Sequence, residues 1–216
     1  MFPSGLPVSA DYTLVMGILL AGTLLGALAV AGSAASQIDY ESLWTKATPF
    51  HTFLENVKAR QEQWRTRFAN AAISAEALDE ARVLPGRRQI LAIAEDRCSD
   101  SAWAVPYLAK LAAAVPEKLE LRVIGRAHGR RIQAQHLTPD GRPATPTIVV
   151  LDERSQFIGA WVERPDELQK WFIDKKATLG SGELHDRMDE WYREDAGRST
   201  VSEVLAILRR EATEKN

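Results

Sequence analysis

The residue best suited to covalent chemistry is Cys98, the only cysteine among the 216 residues of the chain. It lies in the stretch LAIAEDRCSDSAWAVP, Leu91 to Pro106, between an apolar run and a helix-like one. A single cysteine cannot close a disulfide within its own chain. If Cys98 takes part in disulfide chemistry, its partner must therefore come from outside the chain.

The residues next to Cys98 bear on whether its thiol is activated. A helix is predicted to begin at about Ser99, and a helix N-terminus or a cation lowers the pKa of a thiol because both favour the thiolate. Arg97 supplies a cation, and the hydroxyl of Ser101 can either donate to the sulfur or simply cap the helix. The opposite effect on the pKa is expected from the acids Glu95, Asp96 and Asp100. The direction of the net shift stays open, as does the alternative that Cys98 is a small buried apolar residue.

The elements that would position this cysteine follow from the hydrophobic pattern. QILAIA, Gln89 to Ala94, is short and apolar, as expected for a buried parallel strand. Ser99 to Val115 predicts a helix and Leu119 to Gly125 a second strand, and a helical crossover between two such strands implies parallel pairing. A short helical piece, Arg130 to His136, then precedes the turn-rich segment TPDGRPATP.

A second half of the fold is predicted after these turns. Thr147 to Asp152 and Gln156 to Val162 have the character of two strands, and the three residues between them predict an antiparallel hairpin. Asp166 to Lys175 follows as a helix. The resulting order, βαβαββα, indicates an α/β sandwich of about ninety residues, an ordinary size for a small domain.

Amphipathic helices are predicted on both sides of this sandwich. Phe50 to Asn70 has apolar residues at helical spacing and is expected to be one helix, and Ser74 to Val83 a shorter one capped by Ser74. Two more are expected at Glu183 to Gly197 and Thr200 to Ala212. The predicted organisation is a hydrophobic segment 1–36, a helical extension 37–84, the α/β domain 85–176 and a C-terminal helical extension 177–216.

Residues 12–35, YTLVMGILLAGTLLGALAVAGSAA, carry no charge, and as a helix of about 36 Å they could cross the hydrocarbon core of a bilayer. One interpretation is a membrane anchor, and the basic residues Lys46, Lys58 and Arg60 after it favour a cytoplasmic domain. A cleaved signal peptide, giving a periplasmic or secreted protein, is an alternative, although no Lys or Arg precedes the apolar run. A mistaken start site, giving a soluble cytoplasmic protein, is another.

The composition argues against two other classes of function. Twenty-seven Lys and Arg against 29 Asp and Glu, with a pI near 6.1, create no positive field for nucleic acid. The histidines and the cysteine lack the close spacing of metal ligands, so no metal and no resident cofactor are predicted. The four histidines are His51, His128, His136 and His185.

The order of elements, with a cysteine just after the first strand and a Thr-Pro pair before the hairpin, resembles the thioredoxin superfamily. The resemblance implies that Cys98 is the first cysteine of the active-site Cys-x-x-Cys motif and that Pro146 is the cis-proline facing it. It also implies that Pro106 is the proline of the active-site helix and Gly159 the glycine of the last strand.

A narrower resemblance covers about Tyr40 to Leu208. The segments AEDRCSDSAWAVPYLAKLA, GRPATPTIVVLDE and WYREDAGRSTVSEVLAIL are similar to a bacterial group of thioredoxin family proteins whose site usually reads E-D-W-C-G-D-C. The flanking helices therefore belong to the pattern of that group, whereas the hydrophobic segment does not.

Three departures from that site bear on function. Arg97 replaces the tryptophan, Ser99 the glycine and Ser101 the second cysteine. Without a second thiol, a mixed disulfide at Cys98 cannot be released by intramolecular attack. The expectation is a monothiol thiol-disulfide oxidoreductase, with a thiol-containing protein or glutathione as partner and co-substrate. Whether the chain is an enzyme stays open, because it lacks the resolving cysteine.

Further residues are expected to bind the partner. Thr145 and Pro146 would present backbone groups to an extended peptide or to glutathione. The resemblance places Arg142 close to the thiol and Trp103, on the helix after it, at the border of the site. The alternative is a redox-inactive binding or adaptor module that uses the Pro146 groove or the helical extensions.

Overall fold

The computed structural model of the protein describes residues 37–212. Within them, a five-stranded mixed sheet has helices on both faces, which is the thioredoxin-like α/β sandwich expected from the sequence. The hydrophobic segment 12–35 lies outside the described residues, so the anchor remains a prediction. None of the helices in 37–212 is long and apolar enough to span a membrane.

The bounds of the elements agree with most of the predicted ones. The strands are β1 Thr48–Pro49, β2 Arg88–Ile93, β3 Leu119–Ile124, β4 Thr147–Asp152 and β5 Phe157–Val162. The helices are α1 Tyr40–Lys46, α2 Phe50–Asn56, α3 Gln61–Asn70, α4 Ala75–Arg82, α5 Ser99–Ala114, α6 Arg126–Gln135, α7 Asp166–Lys175, α8 Ser181–Asp195 and α9 Arg198–Leu208.

Strand β2 is the centre of the sheet, whose order is β1-β3-β2-β4-β5. It pairs in parallel with β3, as the helical crossover α5 requires, and antiparallel with β4. The β4 and β5 strands form the predicted antiparallel hairpin, and the short β1 pairs antiparallel with β3 at the other edge. This arrangement brings the end of β2 and the start of β4 to the same edge of the sheet.

The side chains of alternate residues of the central strands point into two separate hydrophobic cores, one on each face of the sheet. Ile90 and Ala92 of β2 point into the core formed with α3, α4, α5 and α9. Leu91 and Ile93 point to the opposite face, where Trp44 of α1 packs. Both faces of β2 are therefore buried, which explains its nearly unbroken apolar sequence.

The helical extensions are part of the larger core. Trp64 of α3 and Leu205 of α9 are buried in the same cluster as Val105 and Leu108 of α5. A third cluster joins α5 to α7 and α8; its buried members are Trp103, Leu168, Leu184, Met188 and Tyr192. Helix α5, which begins immediately after Cys98, is thus packed against both extensions.

One predicted helix is interrupted. Residues 50–70 form α2 and α3, separated at 57–60, where Arg60 has a left-handed φ of 53°. The break is stabilised from a distance, because the backbone N–H groups of Lys58 and Ala59 donate to the carboxylate of Asp96 at 2.9 Å each. The prediction of a single helix over 50–70 was therefore wrong. Asp96, which stabilises the break, lies 38 positions after Lys58 and 37 after Ala59 in the sequence.

Candidate functional site

Cys98 is the N-cap residue of α5 and is half-buried. Its backbone is extended, with φ −75° and ψ 124°, and its carbonyl accepts the first helical hydrogen bond, from Ala102. The sulfur takes the place of a capping oxygen, since the backbone N–H of Ser101 donates to Sγ at 3.4 Å. The thiol therefore lies at the positive end of a 16-residue helix, where a thiolate is favoured.

A second contact of the sulfur comes from the opposite side of the site. The Cys98 thiol donates to the backbone carbonyl of Thr145, with Sγ and O 3.2 Å apart. Thr145 is half-buried, and Pro146, which follows it through a cis peptide bond, is buried. The predicted cysteine and the predicted Thr-Pro pair thus lie together at one edge of the sheet. A carbonyl acceptor favours the protonated thiol and so opposes the helix N-terminus.

The segment before Cys98 is fixed by the N-terminal helices. The indole N–H of Trp64 donates to the backbone carbonyl of Asp96 at 2.9 Å, and the Nε of Arg60 donates to the carbonyl of Arg97 at 2.8 Å. Hydrogen bonds from the backbone N–H of Ala59, and also of Lys58, lower the pKa of Asp96. The carboxylate of Asp96 is therefore engaged with the backbone of the N-terminal extension.

Two residues predicted to assist the thiol lie on either side of it. Arg97 is exposed and adjoins Cys98 in sequence. Ser101 is fully buried, and its Oγ makes no hydrogen bond within the described part of the chain. Ser101 contacts the sulfur through its backbone N–H. Its hydroxyl is a separate, buried polar group without a hydrogen-bond partner in residues 37–212.

Arg142, predicted to bind the partner, is engaged in ion pairs of its own. Its Nε donates to Asp140 at 2.9 Å and its Nη2 to Glu163 at 3.1 Å. The hydrogen bond to Asp140, and the charge of Glu163 beside it, raise the pKa of Arg142. The guanidinium is still partly exposed, with 42% of the side chain accessible. Its position favours a role in holding its own loop.

Trp103, predicted to border the site, is buried with 7% exposure. Its ring is stacked on that of Tyr192 with centroids 5.2 Å apart, and the guanidinium carbon of Arg67 lies 3.3 Å from its centroid. Its indole N–H donates to Asp189 at 2.7 Å. Trp103 thus joins α5 to α3 and α8 and offers little surface to a substrate.

A buried polar cluster of Asp100, Arg164 and Tyr192 lies under the first turn of α5 and was not predicted from the sequence. Asp100 accepts from Arg164 Nε at 3.1 Å and Nη2 at 2.9 Å, and from the Tyr192 hydroxyl at 2.9 Å. Burial raises the pKa of Asp100, whereas the guanidinium of Arg164 opposes that shift. These partners are 64 and 92 residues from Asp100, and no local pattern links them.

A cleft of about 230 Å³ opens beside the segment that precedes Cys98. It lies between that segment, α2 and the end of β3. Its lining residues are Phe53, Asn56, Val57, Ala94, Glu95, Asp96, Arg97 and Gly125. Among residues 37–212, no group of three or more His, Cys, Asp or Glu side chains could hold a metal ion.

The order of the strands and the thiol at the N-terminus of α5, facing the Thr145–Pro146 bond, define a protein of the thioredoxin fold with a one-cysteine site. The family model described as Thioredoxin matches residues 47–178, and the chain belongs to that family. The match includes β1 to β5, Cys98 and the Thr145–Pro146 pair, and it ends before α8, which carries Asp189 and Tyr192.

Two solved structures share the fold at low sequence identity. One is a protein of unknown function from Pseudomonas aeruginosa, with 20% identity, a TM-score of 0.64, and coverage of 80% of this chain and 98% of that chain. The other is an HIV epitope-scaffold protein, with 21% identity, a TM-score of 0.60, and coverage of 79% and 98%. No curated protein matches the chain.

Proposed function

We propose that this protein carries out reversible monothiol exchange at Cys98, forming a mixed disulfide with glutathione or with a thiol-containing protein. The observation that supports this is the position of Sγ, half-buried at the N-terminus of α5 and within 3.4 Å of the Ser101 N–H. A donor and a helix dipole directed at the sulfur favour the thiolate, which is the attacking species.

The exchange requires one external disulfide and then one external thiol. In the first step the Cys98 thiol loses its proton to solvent, and the thiolate attacks one sulfur of a disulfide R–S–S–R. The Cys98–S–S–R bond forms, the S–S bond of R–S–S–R breaks, and R–S⁻ leaves and takes up a proton. In the second step an external thiolate attacks the mixed disulfide and Cys98 leaves as a thiolate. The second thiol must be external because position 101 is serine.

In this proposal the remaining predicted residues stabilise the thiolate or bind the partner. The buried Ser101 hydroxyl, which has no partner in the described residues, and the exposed Arg97 would favour the thiolate. Thr145 and Pro146 would present backbone to the partner, with Arg142 beside them. Trp103 would act indirectly, by holding α5 against α8.

The direct test is intact-mass spectrometry after incubation with glutathione disulfide. The expected result is a single glutathionyl adduct on wild type and none on Cys98→Ser, with complete release by reduced glutathione. The rate of adduct formation should rise with pH as the thiolate fraction rises. Failure of the folded wild type to form the adduct, while free cysteine does so under the same conditions, would overturn the proposal.

A binding module without turnover is the second candidate. The observation that favours it is the 3.2 Å hydrogen bond from the Cys98 thiol to the Thr145 carbonyl, since a thiol that donates this bond is held in its unreactive form. In that case Cys98→Ser, which retains a donor, should capture the same partners as wild type from a lysate prepared without reductant. Loss of every partner in Cys98→Ser would instead support covalent exchange.

A further inference from the structure

The environment of the sulfur depends on the separation of two elements. The Ser101 N–H that donates to Sγ belongs to α5, whereas the Thr145 carbonyl that accepts from it belongs to the loop before β4. These elements are not consecutive in the chain, so their separation at the site must be set by contacts between them or through a third element.

Glu163 supplies such a contact at the end of β5. Its residue exposure is 5%, and its backbone has a left-handed φ of 68°, which is uncommon for a glutamate. Its backbone N–H donates to the carbonyl of Pro146 at 2.8 Å. Its carboxylate lies 3.1 Å from Arg142 Nη2, in the loop, and 2.8 Å from Arg164 Nη1.

Arg164 continues the connection into α5. Its Nε and Nη2 donate to the buried carboxylate of Asp100 at 3.1 and 2.9 Å. Four alternating charges, Arg142, Glu163, Arg164 and Asp100, therefore form a cross-brace from the Thr145–Pro146 loop to the first turn of α5. Three of the four are buried, and Arg142 is partly exposed.

We infer that Glu163 is a positioning residue that holds the Thr145 carbonyl against the Cys98 thiol by bridging Arg142 and Arg164. This inference rests on the proposed role of Cys98 as the reacting thiol, and it adds the residue that controls the balance between its thiol and thiolate forms. With Gln at position 163, two guanidinium groups would face each other without a carboxylate between them, and the loop would move away from α5. The thiol would then lose an acceptor that favours its protonated form.

Charge alone makes a different prediction from positioning. The charged and titratable side chains on the elements around the thiol include Arg60, Glu95, Asp96, Arg97, Asp100, Glu163, Arg164 and Tyr192, with Asp140 and Arg142 in the loop. Removing the negative charge of Glu163 favours the thiolate through either effect. Removing the positive charge of Arg142 disfavours the thiolate electrostatically but favours it by releasing the loop.

The test compares Glu163→Gln and Arg142→Met with Glu167→Gln, a matched control at an exposed position on α7. The rate of Cys98 alkylation by iodoacetamide, a small neutral reagent, is measured against pH on the full chain. Both test variants should react about threefold faster than wild type at pH 7, because a larger fraction of the thiol is then the reactive thiolate. Hydrogen exchange in peptides covering 138–147 should also be faster in both, and the control should match wild type.

Two results would overturn the inference. If Glu163→Gln reacts faster and Arg142→Met slower, charge rather than positioning controls the thiol. If both variants melt at lower temperature with unchanged pH profiles, the cross-brace is only structural. If Glu163→Gln does not fold, Arg142→Met is sufficient on its own. Positioning predicts faster alkylation of Cys98 in this variant, charge predicts slower alkylation, and a purely structural cross-brace predicts an unchanged rate. Alkylation needs no disulfide partner, so failure of glutathione exchange would be seen separately.

Discussion

Replacing Tyr192 by Phe removes a single hydrogen bond from the buried cluster under the site. The hydroxyl of Tyr192 donates to Asp100 at 2.9 Å, and its ring stacks on Trp103 with an angle of 11° between planes. Burial, followed by the charge of Asp100, raises the pKa of Tyr192 well above its ordinary value, so the hydroxyl keeps its proton. Phenylalanine retains the stacked ring, and Asp100 retains both donors from Arg164.

The size of the effect follows from the charge of the acceptor. A hydrogen bond to an ionised group contributes about 1.5–3 kcal/mol to stability. We expect Tyr192→Phe to lower the free energy of unfolding by about 2 kcal/mol, which for a chain of this length lowers the melting temperature by about 4–8 °C. Urea denaturation should give the same difference with an unchanged m-value.

Tyr40→Phe is the matched control for this measurement. The ring of Tyr40 is likewise stacked, on Phe157 at 5.5 Å, but its hydroxyl makes no hydrogen bond within residues 37–212. Burial raises the pKa of Tyr40 to about 12. Removing a hydroxyl that holds no protein partner should change stability by less than about 0.5 kcal/mol.

The pH dependence gives a second check on Tyr192→Phe. Burial raises the native pKa of Asp100 above the pKa of this group in the unfolded chain, about 3.9. The contribution of Asp100 to the free energy of unfolding therefore decreases as the pH rises from the unfolded pKa through the native pKa. Loss of the hydroxyl donor raises the native pKa further. The deficit of the variant should therefore be full at neutral pH and shrink in acid. Equal melting temperatures for wild type and variant at pH 7, or a deficit that grows in acid, would refute this account of the cluster.

Three more predictions concern the thiol, a glycine and an acid. Ser101→Cys should restore a second thiol next to Cys98, so oxidation should leave no free thiol by Ellman titration and the variant should reduce insulin disulfides. Gly197→Ala should lower stability in urea by about 2–4 kcal/mol, because φ is +76° and a Cβ would lie 2.2 Å from the ring of Tyr107. Hydrogen bonds, of which the one from Arg142 has the largest effect, lower the pKa of Asp140. The contribution of Asp140 to stability is therefore present above its unfolded pKa and is lost as the pH falls through its native pKa. Asp140→Asn should make the melting temperature depend less on pH in acid.

Each of these three changes has a comparison. Adding Cys98→Ser to Ser101→Cys should abolish both disulfide formation and insulin reduction; activity that persists would contradict the assignment. Gly180→Ala, where a Cβ meets nothing within 4 Å, should be close to neutral, and an equal loss at both glycines would contradict the steric argument. Asp174→Asn, at an exposed acid on α7, should leave the acid limb unchanged.

The strands and the thiol were predictable because their signals are local. The apolar runs of β2 and β4 and the alternation of β3 carry their own burial pattern, and α7 has the predicted bounds of Asp166 and Lys175. The helix N-terminus after Cys98 was also predicted within one residue. The family resemblance added the Thr145–Pro146 pair, which lies more than forty residues away in sequence yet contacts the sulfur.

The parts that were missed depend on long-range contacts. The break between α2 and α3 is held by Asp96, and the two-residue β1 is too short for a periodic signal. Asp100 was predicted to oppose the thiolate by its charge, but the sequence does not show that Arg164 neutralises it from beyond β5. The roles of Arg97, Ser101 and Arg142 stay predictions.

The attachment of α8 to the site has a consequence for transplanting this thiol to another scaffold. A recipient built only to the end of α7, at Lys175, would receive α5 with the apolar side of Trp103 uncovered and Asp189 absent. The turn that carries Cys98 should therefore be transferred together with α8, because α8 covers Trp103 and supplies Asp189.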